Sequence, residues 1–525
     1  MNTVLFNTII HLKPKQVIYR IYRKLIKVRI SQVVCYKQRA RTKQLLDFPI
    51  KKTTFVLDEI SKPTDWNRAD RPKLYLYQLH YFDFIHTLSQ VDARHLCYRW
   101  IDENPVGMGN GWEPYPISQR IINWVKWLIQ NDEQDEEILT SLYLQSRYLF
   151  KNIEYHLLGN HLFANAVALM FSGLFFCDEE SQKWLKKGEE IFFQEIKEQI
   201  LKDGGHFERS PMYHAKMLGD ILDLYNILNI SSSMLCQRSR LALSEAMPNM
   251  NDYLSSMTFP DGEVAYFNDS VKGFYFNEAT LKEYTKKLGF EYPSIQKSSY
   301  YPNTGFVRLQ SKYVILLADM GSIGPSYIPG HAHAESLSFE MAYDSQRILV
   351  NTGVTTYEEN QKRLDERSTQ AHNCLVLDGK NSSQVWKSFR VGKRAKIIKR
   401  SVDLNNQCVI AAHDGYKKII HERKWQLTEN NLIIQDKLSG QGEHLVELYF
   451  HFHPDIIITL VDKKLIISCH DTVLIMECDP ALQAEIISTY YAKTFNQAVP
   501  NQTLKLSERI FLPATFVQTI SWSEE

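Results

Sequence analysis

Several classes of protein are excluded by what this sequence lacks. No stretch approaches the ~20 consecutive apolar residues of a membrane span. Lys+Arg (61) and Asp+Glu (60) nearly cancel, so there is no global polycation for nucleic acid. The eight cysteines are scattered and form no CxxC pair, which argues against a zinc ribbon or a disulfide framework. The opening run Val4 to Ile10 is shorter than a signal-peptide core. It has no basic residues before it and no Ala-x-Ala site after it. These features predict a cytoplasmic chain with reduced thiols. No repeat or low-complexity tract is apparent.

What remains is a chain of 525 residues, enough for two to four domains at ~150 residues each. Aromatic residues make up 12%, enough to line a sugar-binding cleft as well as a core. Charge is unevenly spread. Met1 to Leu46 carries eleven Lys/Arg and no acid. Within it, Ile18, Ile21, Tyr22 and Leu25 fall at helical spacing. The segment reads as a basic amphipathic helix, and two placements suit it. It lies on an anionic membrane surface as a peripheral contact, or it docks on the more acidic body by its apolar face. Docking on the body is the expectation.

The texture changes near residue 300. Ser118–Gln130, Ile138–Phe176 (broken at Gly159-Asn160), Lys183–Leu201 and Met217–Ile230 follow a 3.6-residue period. After Pro302, short apolar or alternating runs are bounded by Gly, Asn, Asp and Ser, as in an antiparallel sandwich. The division predicted is a basic N-terminal helix (1–46), a helical domain (47–300) and a β-sandwich domain (301–525).

Four clusters carry chemistry-bearing side chains. Gly159-Asn160-His161 opens a helix, and taken alone a capping Asn beside a satisfied core His is the favoured account of it. Asp203 to His214 packs His206, Glu208, Arg209, Tyr213 and His214 after a glycine turn. If helical, Arg209 and Tyr213 share a face, where a guanidinium would favour the phenolate. His331 and His333, in Gly330-His331-Ala332-His333-Ala334-Glu335, would point the same way on a strand, a spacing that suits a metal. Asp365 to Asn373, followed by Trp386 to Arg394, adds His372 and several cations. A paired-carboxylate glycosidase signature is much less evident, with Asp203, Glu208 and Glu335 as the available acids.

In this order, and with Tyr75 to Asp83 and Gly111 to Pro116 before them, the clusters resemble the heparinase II/III family of polysaccharide lyases. The resemblance implies an incomplete α/α toroid followed by an antiparallel β-sandwich. It implies β-elimination at a uronic acid in an anionic polysaccharide, either glycosaminoglycan-like or a bacterial capsule or exopolysaccharide. Because the C5 proton is α to a carboxylate, an enzyme must neutralise that carboxylate, take the proton and protonate the leaving O4. By resemblance, Asn160 and His161 meet the carboxylate, Tyr213 is base and acid on one face, and His331 is the second base. Arg209, His214, Arg367 and Arg390 are expected around the substrate, with Arg209 and His214 lowering the Tyr213 pKa. A structural zinc would take His333, Asn351 and His372. The family position at Asn351 is usually Asp, and Ala164 replaces a frequent Glu. A C5 uronyl epimerase and a non-catalytic polysaccharide-binding protein are the alternative readings.

Overall fold

The computed structural model describes residues 3–39, 45–51, 66–231, 233–293, 297–469 and 472–523. Two short helices lead, α1 (Thr3–Ile9) and α2 (Pro14–Leu25). The helical layer follows: α3 (Lys73–Tyr81), α4 (Gln90–Glu103), α5 (Pro114–Gln130), α6 (Glu136–Lys151), α7 (Gly159–Phe175), α8 (Glu179–Gln199), α9 (Pro211–Ile227), α10 (Met234–Ser256) and α11 (Glu278–Lys287). Side-chain caps set several starts. Asp135, Asp178 and Ser210 accept the free N–H groups of α6, α8 and α9. The inner helices α5 and α7 are buried on nearly every face; α7 is accordingly apolar almost all round, whereas α5 also buries Arg120 and Lys126, paired with Gln145 and Asp223. Among the described residues, no helix is long and apolar enough to cross a membrane.

The remainder is antiparallel sheet. Five strands pair in chain order: Ser299–Tyr301, Phe306–Gln310, Val314–Asp319, Phe339–Tyr343 and Gln346–Leu349. A ten-stranded sheet faces them, and one core joins Leu309, Leu316 and Met341 of the first to Trp425, Leu432 and Phe450 of the second. The fold is thus an incomplete toroid of helices followed by a β-sandwich. The strands are longer than the sequence pattern predicts. The runs at Leu432–Ile434 and Leu445–Phe450 belong to one 21-residue strand, Asn431–His451. It pairs with the 25-residue Gln497–Ser521 through a bulge between Leu438 and Gly442. Polar residues on the exposed face and two glycines hide that continuity from a hydrophobic pattern.

The expected placement of the N-terminal helix is reversed. Gln16, Tyr19 and Arg23 of α2 face the body, while Ile18, Ile21 and Leu25 are exposed at 61, 56 and 78%.

The two domains meet at the Asp203-Gly204-Gly205 turn. Asp203 Oδ2 accepts the backbone N–H groups of Asn303 and Thr304, both at 2.8 Å. Gly204 has φ +82°, and a Cβ there would lie 2.2 Å from the backbone oxygen of Asn249. Gly262 shares the left-handed conformation (φ +79°) but opens onto free space. Gly262→Ala is expected to cost only the ~1–2 kcal/mol of left-handed backbone. Gly204→Ala adds an overlap with main chain, so its thermal midpoint falls well below that of Gly262→Ala. Equal midpoints would refute the close packing of this turn on α10.

Candidate active site

The first element of the site is the start of α7. Leu158 and Gly159 both take positive φ (+67° and +59°), which turns the chain sharply before the helix begins. Any Cβ on Gly159 would lie 3.0 Å from Glu208 Oε1, so glycine also admits that carboxylate. Asn160 Nδ2 donates to both oxygens of Glu208 (3.1 and 3.2 Å). Burial raises the Glu208 pKa, while His331 and these amide bonds oppose the rise. Beside it, His161 Nδ1 lies 3.2 Å from Glu154 Oε2, and its ring packs on Tyr115 at 4.4 Å. Burial disfavours charge on His161, but Glu154 outweighs it and raises the imidazole pKa.

The second element is a stacked pair from the two domains. The Tyr213 ring, in the first turn of α9, lies 4.0 Å from the His331 ring at 29°. Tyr213 Oη is 3.2 Å from Tyr357 Oη. Burial, then Tyr357, hold the Tyr213 pKa well above the usual phenol value. The expected lowering by Arg209 and His214 is therefore overturned. Arg209 precedes the Ser210 cap at φ +60°, so it is not on a helical face with Tyr213. Its guanidinium donates to the carbonyls of Ser322 and Gly324 and ties the helical domain to the sandwich. His214 turns to Met250 O (2.9 Å) and Tyr253, and burial pulls its pKa to about 4.

His331 is oriented by Asp269. His331 Nδ1 lies 2.8 Å from Asp269 Oδ2, which leaves Nε2 toward Asn160 Nδ2 (3.4 Å) and Glu208 (3.7 Å). The same Asp269 carboxylate takes His333 Nε2 (2.7 Å) and both terminal nitrogens of Arg363, from α12 (Gln361–Glu366). Its backbone carbonyl accepts Ser210 Oγ, the cap of the Tyr213 helix. Burial would raise the Asp269 pKa, yet Arg363 and the two histidines hold it well below the usual carboxylate range.

Behind His331 lies a buried trio that could hold a metal ion, His333, Glu335 and His372, whose ligand atoms fall within 4.8 Å of one another. Burial keeps both imidazoles neutral, with His333 near 4 and His372 well below its ordinary value. Burial also raises Glu335 far above the carboxylate range. Glu335 Oε2 and His372 Nδ1 find no hydrogen-bond partner, although they lie 3.1 Å apart. Two neutral imidazoles, with His333 Nδ1 3.2 Å from His372 Nε2, and a carboxylate whose Oε1 accepts the Asn268 N–H while Oε2 stays unpartnered suit a divalent cation, and Asp269 on His333 is the orienting partner such a ligand usually has. Asn351, expected as the third ligand, accepts a hydrogen bond from Ser338 Oγ on its Oδ1 at 2.7 Å.

Two further expectations move. Arg367 is buried, and its guanidinium braces the carbonyls of Ala332 and Lys387 instead of facing a cleft. Arg390 sits half-buried on a two-stranded hairpin (Val385–Trp386 with Arg390–Val391), near Arg20 of α2. The sequence reading missed Asp269, Arg363 and Tyr357, and it gave no role to Tyr115 of the Gly111 to Pro116 motif. None lies in a dense polar cluster of its own. Only Asp365 to Asn373, directly after Arg363, hinted at a polar site there.

Two family models match the chain: "Heparinase II/III N-terminus" over residues 12–300 and "Heparinase II/III-like, C-terminal" over 296–523. Among curated relatives, a heparin-sulfate lyase of Pedobacter heparinus is 24% identical over 404 residues, 69% of this chain and 59% of that protein. A heparin-sulfate lyase of Bacteroides stercoris is 23% identical over 312 residues, 56% of this chain and 45% of that protein. The chain thus spans about half the length of these relatives. A crystal structure of heparinase III superposes with a TM-score of 0.70 at 15% identity, covering 97% of this chain and 85% of the other.

Asp269 and Arg363 make a buried ion pair on which both histidines hang. Asp269→Asn is expected to cost about 3–5 kcal/mol, because it strands the guanidinium. Arg363→Met should cost a similar amount. The double variant should lose clearly less than the sum, since the pair is removed together. Urea titration followed by tryptophan fluorescence measures all three, and strict additivity would refute the coupling.

Proposed function

The chain belongs to the heparinase II/III family, and on that premise we propose that it is a polysaccharide lyase that cleaves a uronic-acid-containing polymer by β-elimination. The observation that carries this reading is the Tyr213–His331 stack, with the Asn160 amide 3.4 Å from His331 Nε2. A hydroxyl acid, an imidazole base and a carboxylate-binding amide are the groups this elimination needs. The names of the two lyase relatives support the reaction class.

Roles follow from the electrostatics. His161, with its raised pKa, and Asn160 stabilise the charge that builds on the uronate carboxylate. His331 takes the C5 proton through Nε2, because Asp269 holds the proton on Nδ1. Tyr213, a neutral phenol at rest, protonates O4. For a uronate whose C5 proton and O4 lie on one face, Tyr213 must also act as base. Its raised pKa stands against that double role until substrate binding changes its surroundings.

A divalent ion, for which zinc is the natural candidate, would be held by His333, Glu335 and His372. It would supply positive charge that stabilises the Glu335 carboxylate and fixes His333 beside Asp269. His372→Ala should then lower bound metal and thermal midpoint together. Unchanged values of both would remove the metal from this reading.

Incubation with a panel of uronate polymers should raise the near-ultraviolet absorbance of a new C4–C5 double bond. Tyr213→Phe should lower turnover by ~10²–10⁴-fold, the usual worth of a positioned proton donor, with folding and polymer binding retained. Solvent deuterium entering C5 without chain cleavage would identify an epimerase instead. Near-normal turnover by the phenylalanine variant would refute the assignment of Tyr213.

A further inference from the structure

The N-terminal helices are built inside out. α2 rests on the body by its polar side. Gln16 Nε2 donates to the carbonyls of Leu157 and Tyr327, and Arg23 donates to that of Asn152 (3.3 Å). Lys13 pairs with Glu198 and lies over the Tyr327 ring at 3.8 Å, while Lys15 lies over Tyr155 at 3.9 Å. The opposite side presents Val17, Ile18, Ile21, Tyr22 and Leu25 to the exterior. α1 repeats the pattern. Thr8 is turned inward, where it bonds Val391 O and receives the Trp386 indole N–H, whereas Leu5, Phe6, Ile9 and Ile10 are exposed. Isolated exposed leucines are ordinary, but a row of nine large apolar side chains on two consecutive helices marks a contact surface.

The charge around this row identifies the partner. Seven Lys/Arg stand between Lys13 and Arg29, and no acid occurs before Asp47. Lys24, Lys27 and Arg29 are exposed beside the apolar row, whereas the acidic Glu198 lies beneath α2, paired with Lys13. We propose that α1 and α2 dock on the surface of an anionic lipid bilayer, with the apolar row at the acyl boundary and the flanking cations among the headgroups. A second copy of the chain would set this cationic segment against itself. A soluble polyanion would use the cations but leave the isoleucines without a role. The proposal does not depend on the reaction assigned above.

Vesicle flotation of the full chain tests it. The protein should float with phosphatidylcholine vesicles containing a third phosphatidylglycerol, but not with phosphatidylcholine alone. Ile21→Glu and Leu25→Glu should each reduce partition at least tenfold. Lys24→Gln and Lys27→Gln should reduce it about fivefold each. All four positions are exposed, so melting temperatures should stay at the wild-type value. Failure to float with anionic vesicles would overturn the proposal. So would wild-type flotation by the glutamate variants, or loss of a dimer as their only effect.

Discussion

The site depends on one buried carboxylate. Asp269 holds His331, the deeper His333 and the Arg363 guanidinium, and its own backbone carbonyl takes the cap of the Tyr213 helix. An uncompensated carboxylate at that depth would be prohibitively costly. The guanidinium of α12 is therefore what permits the arrangement, and it arrives from the sandwich domain while Asp269 comes from the helical one. Correct docking of the domains and correct orientation of His331 are one event. The His331 orientation seen here exists only when the interface is closed.

Arg209 and Arg367 illustrate the same economy. Both are cations near the site, and both spend their donors on backbone carbonyls of the segments that shape it. Such donors cannot also meet a substrate. They act by holding the 322–334 segment in place, so their effect on chemistry passes through the position of His331.

Much of this was legible in the sequence. The helical period of α5 to α9 and the motifs around Asn160, Tyr213 and His331 are local signals, set by spacing and composition. What escaped was non-local. Arg363 and Asp269 stand 94 residues apart and neither belongs to a motif of its own; only the fold shows that they meet. Arg209 was misread because a helical spacing was extended one residue past the Ser210 cap, where the backbone turns left-handed. Glu335 stands two residues from His333, but the resemblance pointed to Asn351, so the buried carboxylate beside the two histidines was not named as a ligand. The outward apolar face of α2 was misplaced because amphipathic helices usually bury that face. Here the hydrogen bonds of Gln16 and Arg23 and the aromatic contacts of Lys13, Lys15 and Tyr19 hold the polar side inward.

The central strand pair of the sandwich also constrains how the protein is made. Gln497–Ser521 lies between Asn431–His451 and Thr472–Glu477 in the ten-stranded sheet and also pairs with Gln483–Thr494. During translation the helical layer can fold as it emerges, but the second sheet lacks its middle until Ser521 has left the ribosome. At about 5–20 residues per second, the residues from 300 to 521 take at least ten seconds or so to emerge, and Asn431–His451 keeps an open edge until the end of that time. Arg363 and His331 lie within that stretch. The second sheet thus stays open until its long Gln497–Ser521 strand is added, and the nascent chain needs protection from edge-to-edge association through roughly the last two-fifths of its synthesis.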